Sequence, residues 1–331
     1  MFSAMTSPKP KAAERKPLIR LVVGMSRAGT TGMVEALNAH PEVSAFGETK
    51  FYGISESRSQ ILDANALDGL KRHFKRIILR LRDPETAQAG ETDALKYVIL
   101  QTLDELTAPV ARGEVFEAIG SEVARTTNKA YWVEKTPHHL MHLGAVFADD
   151  PEARAIIMLR APEGFMLSYK HQGDRKRAAV RDTLHGLYNP ILVALICRRY
   201  LQEARKWQAA APNGVLVVRL EDIRTAPDNV YANVLAHFLL PQEKIDHYRI
   251  SNSSFGADAK NRPELSEAER AWLGLLTNAE AQALGYPPVT YKLRPLEMLR
   301  SLGALVVWPF RNASVLFQLR RYVGAMIRRW L

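Results

Sequence analysis

The chain has a single cysteine, Cys197, in 331 residues. That excludes an intrachain disulfide framework and a cysteine-built metal cluster, and it points to a reducing compartment, the cytoplasm. Nowhere do apolar residues run for the roughly 20 positions that a membrane-spanning helix needs. Residues 1–16, rich in Pro, Lys, Ser and Ala, lack the apolar stretch of a signal peptide and read as a disordered basic arm. Acidic charge is in deficit: 45 Lys and Arg stand against 35 Asp and Glu, a formal net charge of +10. An excess of that sign suits polyanionic ligands, namely nucleotides, nucleic acid or an anionic membrane surface. No recognised nucleic-acid module accompanies it, so nucleic acid is not expected as a partner.

What is present begins with an apolar, β-branched run, Leu18–Gly24, followed by Met25-Ser26-Arg27-Ala28-Gly29-Thr30-Thr31. The pattern predicts a strand, a tight loop and a helix that ends near His40-Pro41, because proline disfavours helix in the residue before it. Glycines let a backbone approach an anion, and the free N–H groups of a helix start point at it. Gly24 and Gly29 have the spacing of a phosphate loop, but Thr30 stands where such loops carry lysine. Arg27 is the loop's one cation. A phosphate is expected here, without the magnesium triphosphate of an ordinary P-loop NTPase. On this motif alone, a plain glycine turn stays open.

Residues 42–46 read as a second strand, delivering Gly47-Glu48-Thr49 to the sheet edge where open α/β sheets bind ligands. Glu48 is either a functional carboxylate there or a capping or solvated loop charge. From 55 to about 128 the pattern is helical, an inserted cap. A basic amphipathic helix is expected over Leu67–Arg82, stopped by Asp83-Pro84, and a second over Ala94–Leu106. Tyr131–Glu134 reads as a strand leading to Lys135-Thr136-Pro137 and a helix starting near His138. His138 and His142 are four apart, a metal-ligand spacing, but no third ligand accompanies them and no metal is expected.

Ala153–Leu159 is the clearest buried parallel strand. Nucleotide hydrolases often end such a strand in a magnesium-binding Asp; here it ends in Arg160, with Ser168 two turns into the helix that Pro162 opens. A strand-end salt bridge is the alternative for Arg160. Asn189–Ala210 reads as a long helix with Leu192, Leu195, Ile196, Tyr200 and Trp207 on its apolar side and Cys197 packing among them. A strand at Val215–Val218 and a helix over Pro227–Leu240 follow. Phe255–Arg262, with Lys260 and Arg262, is a basic loop able to lie over a nucleotide or to serve as a plain turn. The tail, 296–331, sets Trp308, Phe317, Tyr322 and Trp330 among six arginines. It suits an interfacial helix on the membrane's inner face, a docked helix on the protein's own core, or a contact with a second subunit in a homodimer.

The expected fold class is α/β: a P-loop-like three-layer domain with a central mostly parallel sheet flanked by helices, a helical insertion and a C-terminal helical tail. Its domain covers 17–290, the insertion about 55–128 and the tail 291–331.

With Arg27-Ala28-Gly29-Thr30-Thr31, Lys135-Thr136-Pro137 and Arg160…Ser168 in this order, the chain resembles the sulfotransferases that use 3′-phosphoadenosine 5′-phosphosulfate (PAPS) and release PAP. The likeness runs from about Leu18 to Tyr286. It implies that Arg27, Ala28, Gly29, Thr30 and Thr31 bind the 5′-phosphosulfate, and that Arg160 and Ser168 bind the 3′-phosphate. Gly47-Glu48-Thr49 is similar to the segment carrying the catalytic Glu of carbohydrate and tyrosylprotein sulfotransferases, and Lys135 matches the Lys of their Glu-Lys-Thr-Pro-type motif. The implied catalytic set is Glu48, Lys135 and Arg27, with His138 or His139 as the next base. Lacking the Golgi members' signal anchor, the chain looks most like a bacterial cytoplasmic member. A sugar or lipid-linked hydroxyl is the expected acceptor, and a protein tyrosine the alternative. Outside this family stand a P-loop kinase, disfavoured by Thr30 and Arg160, and a non-enzymatic membrane-binding protein, which leaves the anion-binding motifs unexplained.

Overall fold

The computed structural model describes residues 18–77, 80–81, 91–174, 178–245 and 264–313. β1 (Arg20–Gly24), buried along its whole length, leads through a short loop into α1 (Thr30–Ala39) and then β2 (Val43–Gly47), also fully buried. Next come β3 (Ile61–Leu62), α2 (Ala64–Arg76), β4 (Arg80–Leu81), α3 (Glu91–Glu105), β5 (Val110–Ala111) and α4 (Arg112–Thr126). β6 (Tyr131–Lys135) runs into a 3₁₀ segment, Pro137–His142, and α5 (Leu143–Asp149). β7 (Arg154–Leu159), α6 (Pro162–Lys170), α7 (Ala178–Leu187) and α8 (Pro190–Ala210) follow. The described chain closes with β8 (Val215–Arg219), α9 (Leu220–Thr225), α10 (Pro227–His237), α11 (Glu267–Ala283) and α12 (Pro295–Arg311).

Six strands form one sheet in the order β4-β2-β6-β1-β7-β8, and β3 and β5 form a separate antiparallel pair. β6 runs parallel to both β1 and β2, while β4 joins β2 antiparallel. A mostly parallel sheet flanked by helices must be apolar on both faces, and β7 shows it: Ala155 through Leu159 are all buried. This is the α/β architecture expected from the alternation of strands and helices.

The chain divides into two compact units. Among the described residues, one takes 18–22, those from 33 to 155 and 235–245. Its core includes Phe51, Tyr52, Phe116 and Trp132, with Phe116 4.9 Å from Phe51 and 5.6 Å from Trp132 between ring centres. Arg112 and Asp149 are buried beside it, joined through two hydrogen bonds of 2.7 and 2.9 Å. Remaining Arg112 donors go to the carbonyls of Ser57, Arg58 and Ala145, which is how a buried guanidinium is tolerated. The other unit takes 23–32, those from 156 to 234 and 264–313. There α8 packs on α11 and α6. Its buried face is Ile191, Val193, Ala194, Cys197, Tyr200, Leu201 and Ala204. Leu195, expected on that face, is exposed. Cys197 is fully buried and burial pushes its thiol far up, as packing rather than reactivity requires.

The structure corrects two helix expectations. The basic helix placed over 67–82 begins at Ala64, capped by Asp63, and ends at Arg76; Ile77 is already extended, and Arg80 and Leu81 pair with Gly47 and Phe46. The β-branched pair Ile77-Ile78 disfavours helix, and the open edge of β2 offers backbone partners. The helix expected from His138 starts at Leu143, after the 3₁₀ segment. The arm at 1–16, the Asp83-Pro84 stop, the loop bearing Lys260 and Arg262, and the tail beyond 313 lie outside the described residues. Among the described residues, no helix is long and apolar enough to cross a membrane.

Gly24 sets how closely β1 and β7 approach at their ends. Met25 N–H donates to Met158 O at 2.9 Å, and a Cβ on Gly24 would lie 2.2 Å from that same oxygen. Gly24 also has φ +126°, a conformation that L side chains rarely adopt. Gly24→Ala should therefore lower unfolding free energy by about 2–4 kcal/mol. Urea denaturation at unchanged slope would report it, and an unmoved midpoint would refute the steric account.

Candidate active site

Two polar clusters occupy strand ends, one in each unit. The first grows from the loop after β1. Ala28 N–H bonds to Met25 O at 3.2 Å, and Arg27 and Gly29 take left-handed φ values of 71° and 82°. Such alternation turns successive N–H groups toward one side, the geometry of an anion nest. At the start of α1, the first-turn N–H groups have no carbonyl four residues back to donate to, and the helix dipole adds positive potential there. Arg27 Nε donates to Ser168 Oγ at 3.1 Å, and Arg160 Nη1 donates to Arg27 O at 3.2 Å. Ser168 is buried in α6 and Arg160 leaves the end of β7. The structure thus brings Arg27, Ser168 and Arg160 into one cluster at the head of the loop, with Ala28 and Thr30 buried beneath and Gly29 and Thr31 half-buried.

Sequence reasoning missed four supporting residues here. A Cβ on Gly164 would lie 2.8 Å from Arg160 Nε, so the missing side chain makes room for the guanidinium. Ser26 Oγ and Tyr200 Oη lie 3.5 Å apart. Tyr169 is pushed up by burial and by Tyr200, against the opposing pull of Ser26 and Arg27. Tyr200 reads in sequence as one more apolar-face residue of a long helix, so nothing in the pattern singles it out.

The second cluster follows from strand register. Gly47 of β2 is the partner of Lys135 of β6, so the next residue, Glu48, leaves the sheet beside Lys135. Lys135 Nζ is 2.6 Å from Glu48 Oε1, with the lysine side chain 8% exposed and the glutamate side chain 41%. Behind this pair lies Glu134, with no solvent exposure. Its Oε1 accepts from Thr49 N–H at 3.0 Å, Thr49 Oγ1 at 2.8 Å and Thr136 Oγ1 at 2.6 Å. Its Oε2 lies 3.1 Å from His139 Nδ1. Tyr52 N–H donates to His139 Nε2 at 3.2 Å, so that nitrogen carries no proton and His139 is neutral with its hydrogen on Nδ1. Burial works to raise the Glu134 carboxyl, but His139 and the Thr136 and Thr49 donors outweigh it and hold it below the usual range.

The segment carrying Glu48 is fixed from several sides. Lys50 N–H donates to Thr136 Oγ1 at 3.1 Å, and His73 Nε2–H donates to Thr49 O at 2.8 Å. Burial lowers His73, consistent with a neutral ring. Glu134, Thr136, His139 and His73 therefore satisfy successive backbone groups of residues 49–52. The second of the paired histidines after Lys135 is accordingly committed to structure, and His139 drops out as the alternative base. His138 is exposed at its rim yet crowded by protein, and that loss of solvent lowers it, helped by His139 and Lys50 and opposed by Glu48. His138 and His142 also diverge: in a 3₁₀ helix, positions four apart point about 120° from one another. Among the described residues, no group of three or more His, Cys, Asp or Glu is gathered for a metal ion.

A family model described as the sulfotransferase family matches residues 21–244. Three solved structures are similar. The sulfotransferase domain of the Synechococcus PCC 7002 olefin synthase is 14% identical, covering 85% of this chain and 99% of its own, with a TM-score of 0.49. The sulfotransferase domain from the curacin biosynthetic pathway is 14% identical over 83% of this chain and 100% of its own, TM-score 0.49. A sulfotransferase from Alicyclobacillus acidocaldarius is 17% identical over 84% and 98%, TM-score 0.43. No curated relative matches the sequence.

Glu134→Ala would strand three buried donors, the Thr49 and Thr136 hydroxyls and the Thr49 N–H. At about 1–3 kcal/mol per unmatched buried donor, stability should fall by at least about 3 kcal/mol. Because the folded carboxyl is held below its unfolded value, its charge-dependent contribution is present above the unfolded value, near pH 4.5, and is lost as pH falls through the folded one. The stability gap between wild type and Glu134→Gln should therefore shrink on acidification. Denaturation midpoints measured from pH 7 to pH 3 would show it, and a pH-independent gap would refute it.

Proposed function

Because the chain belongs to the sulfotransferase family, we propose that it moves the sulfuryl group of PAPS to a hydroxyl of a carbohydrate or lipid-linked acceptor by in-line displacement. The observation carrying the nucleotide part of this reading is the cluster of Arg27, Ser168 and Arg160 at the phosphate-type loop. Guanidinium, hydroxyl and first-turn N–H donors match phosphate and sulfate oxygens, which only accept. An arginine stands at the end of β7 where a magnesium-dependent nucleotide hydrolase would often place its metal carboxylate, which favours this reading over a P-loop kinase.

PAPS supplies a sulfuryl group already activated by its link to the 5′-phosphate. Arg27, Lys135 and the N–H groups of Gly29, Thr30 and Thr31 neutralise charge growing on that phosphate, and the Thr30 and Thr31 hydroxyls donate to its oxygens. Arg160 and Ser168 hold the 3′-phosphate, the group that separates this nucleotide from ATP. Glu48 takes the proton of the acceptor hydroxyl, a contribution typically of about 10²–10⁴-fold. Its Oε1 is engaged by Lys135, which leaves Oε2 to receive the proton. We place the enzyme in the cytoplasm, with an acceptor of sugar or lipid type. Tyrosine in a protein remains the second reading, since the Glu48 segment is similar to both classes.

Calorimetric titration tests the nucleotide site. PAP should bind at least about tenfold more tightly than AMP, and its affinity should be indifferent to magnesium. Arg160→Ala should erase most of the PAP-over-AMP preference. Tight binding of ATP only with magnesium would instead establish the kinase reading. Glu48→Gln should lower turnover by at least about 10²-fold while PAP affinity stays within about twofold. Near-normal turnover would remove Glu48 as base and make His138 the group to change next.

A further inference from the structure

Helix α12 takes no part in the proposed chemistry, and its two faces differ sharply. Toward the protein it turns Met298, Ser301, Leu305 and Trp308, each half-buried, and Asn312, buried. Trp308 Nε1 donates to Leu187 O and Asn312 Nδ2 to Gly186 O, both at 3.1 Å, at the end of α7. These bonds fix the rotation of the helix about its axis. The face turned outward carries Leu296, Leu299, Val306 and Phe310, which are 76, 67, 70 and 80% exposed. Leu302 and Val307 flank them, also exposed. Single exposed apolar residues are ordinary, but a row of large ones at helical spacing marks a contact surface.

Charge identifies the occupant. Arg300 and Arg311 are exposed along one flank of the apolar row, and Lys292 and Arg294 at its N-terminal end. Glu297 is the one acidic residue of the helix. Two copies of this face packed together would crowd arginines around a single glutamate from each, and such like charges repel as water leaves the contact. An anionic bilayer offers the opposite sign at its surface and an apolar interior just beneath. Seventeen residues span only about 26 Å, and no described helix is apolar enough to cross. The helix therefore lies in the interfacial plane.

We propose that the outward face of α12 docks on a membrane rich in anionic lipid, with Leu299, Val306 and Phe310 entering the acyl boundary and Arg300 and Arg311 meeting headgroup phosphates. The docking is independent of the sulfuryl-transfer reading, since it uses none of the residues placed in that chemistry. The full chain should co-sediment with phosphatidylcholine vesicles containing phosphatidylserine at least about tenfold more strongly than with phosphatidylcholine alone, and less as salt rises. Leu299→Asp with Phe310→Asp should reduce vesicle binding at least about tenfold, and Arg300→Glu with Arg311→Glu should abolish the preference for phosphatidylserine. Circular dichroism and PAP titration on each variant separate a docking defect from misfolding and from failure of the nucleotide site. Undiminished binding by the Leu299/Phe310 variant, or equal binding to both vesicle types, would overturn the proposal. So would a dimer in sedimentation velocity that this variant dissolves while the wild type ignores vesicles, an outcome that assigns the face to a second copy.

Discussion

A carboxylate sealed from solvent governs the shape of the β2–β6 edge. Glu134 sits in β6, where an unpaired charge would be costly, and it stays ionised because three donors and the His139 ring surround it. Two of those donors belong to Thr49, one residue beyond Glu48. The energy that keeps the buried charge tolerable is therefore the same energy that holds the Glu48 segment against the sheet. A side chain only partly exposed on a loop this constrained has little further freedom to lose, which suits the role of general base proposed for Glu48.

Both clusters owe their position to backbone register more than to side-chain choice. Parallel pairing aligns Gly47 with Lys135, and the next residue on each chain leaves the sheet at the same level. β1 and β7 are likewise brought to a close approach at Gly24 and Met158, and the residues that follow carry Arg27 and Arg160. Open parallel sheets collect ligand-handling groups at their carboxyl ends for this reason: every strand there delivers its successor residue to the same edge. Glycine at 24 and at 47 is the enabling feature, since a Cβ at either position would meet a neighbouring strand's carbonyl oxygen within 2.2 Å.

Much of this could be read in the sequence because the relevant signals were local. β1 and β7 carry continuous apolar runs, Leu21–Val23 and Ala155–Leu159, and Pro162 and Asn189 mark helix starts by their own chemistry. Arg160 and Ser168 were expected to share one anion and Arg27 to meet another; the structure links all three through the Arg27–Ser168 and Arg160–Arg27 bonds. What escaped depends on distant partners. The helix over 67–82 has an unbroken amphipathic pattern, and only the free edge of β2 explains why Arg80 and Leu81 leave it. Glu134 looks like the polar end of a strand until Thr49, 85 positions away, is seen bonded to it. His138 and His139 are indistinguishable as letters; the Tyr52 N–H alone decides that one ring is locked.

The protonation states of the histidines complete the electrostatic picture. His139 is neutral because its Nε2 accepts a hydrogen bond, and burial keeps His73 neutral. His138 is also lowered, by loss of solvent and by its neighbours. Glu134 and Glu48 thus bring two negative charges close to β6, balanced locally by Lys135 and by neutral donors. Under the proposed reading, the 2.6 Å ion pair with Lys135 fixes Glu48 at the strand end before any nucleotide arrives, so the lysine positions that carboxylate as well as adding positive charge beside it.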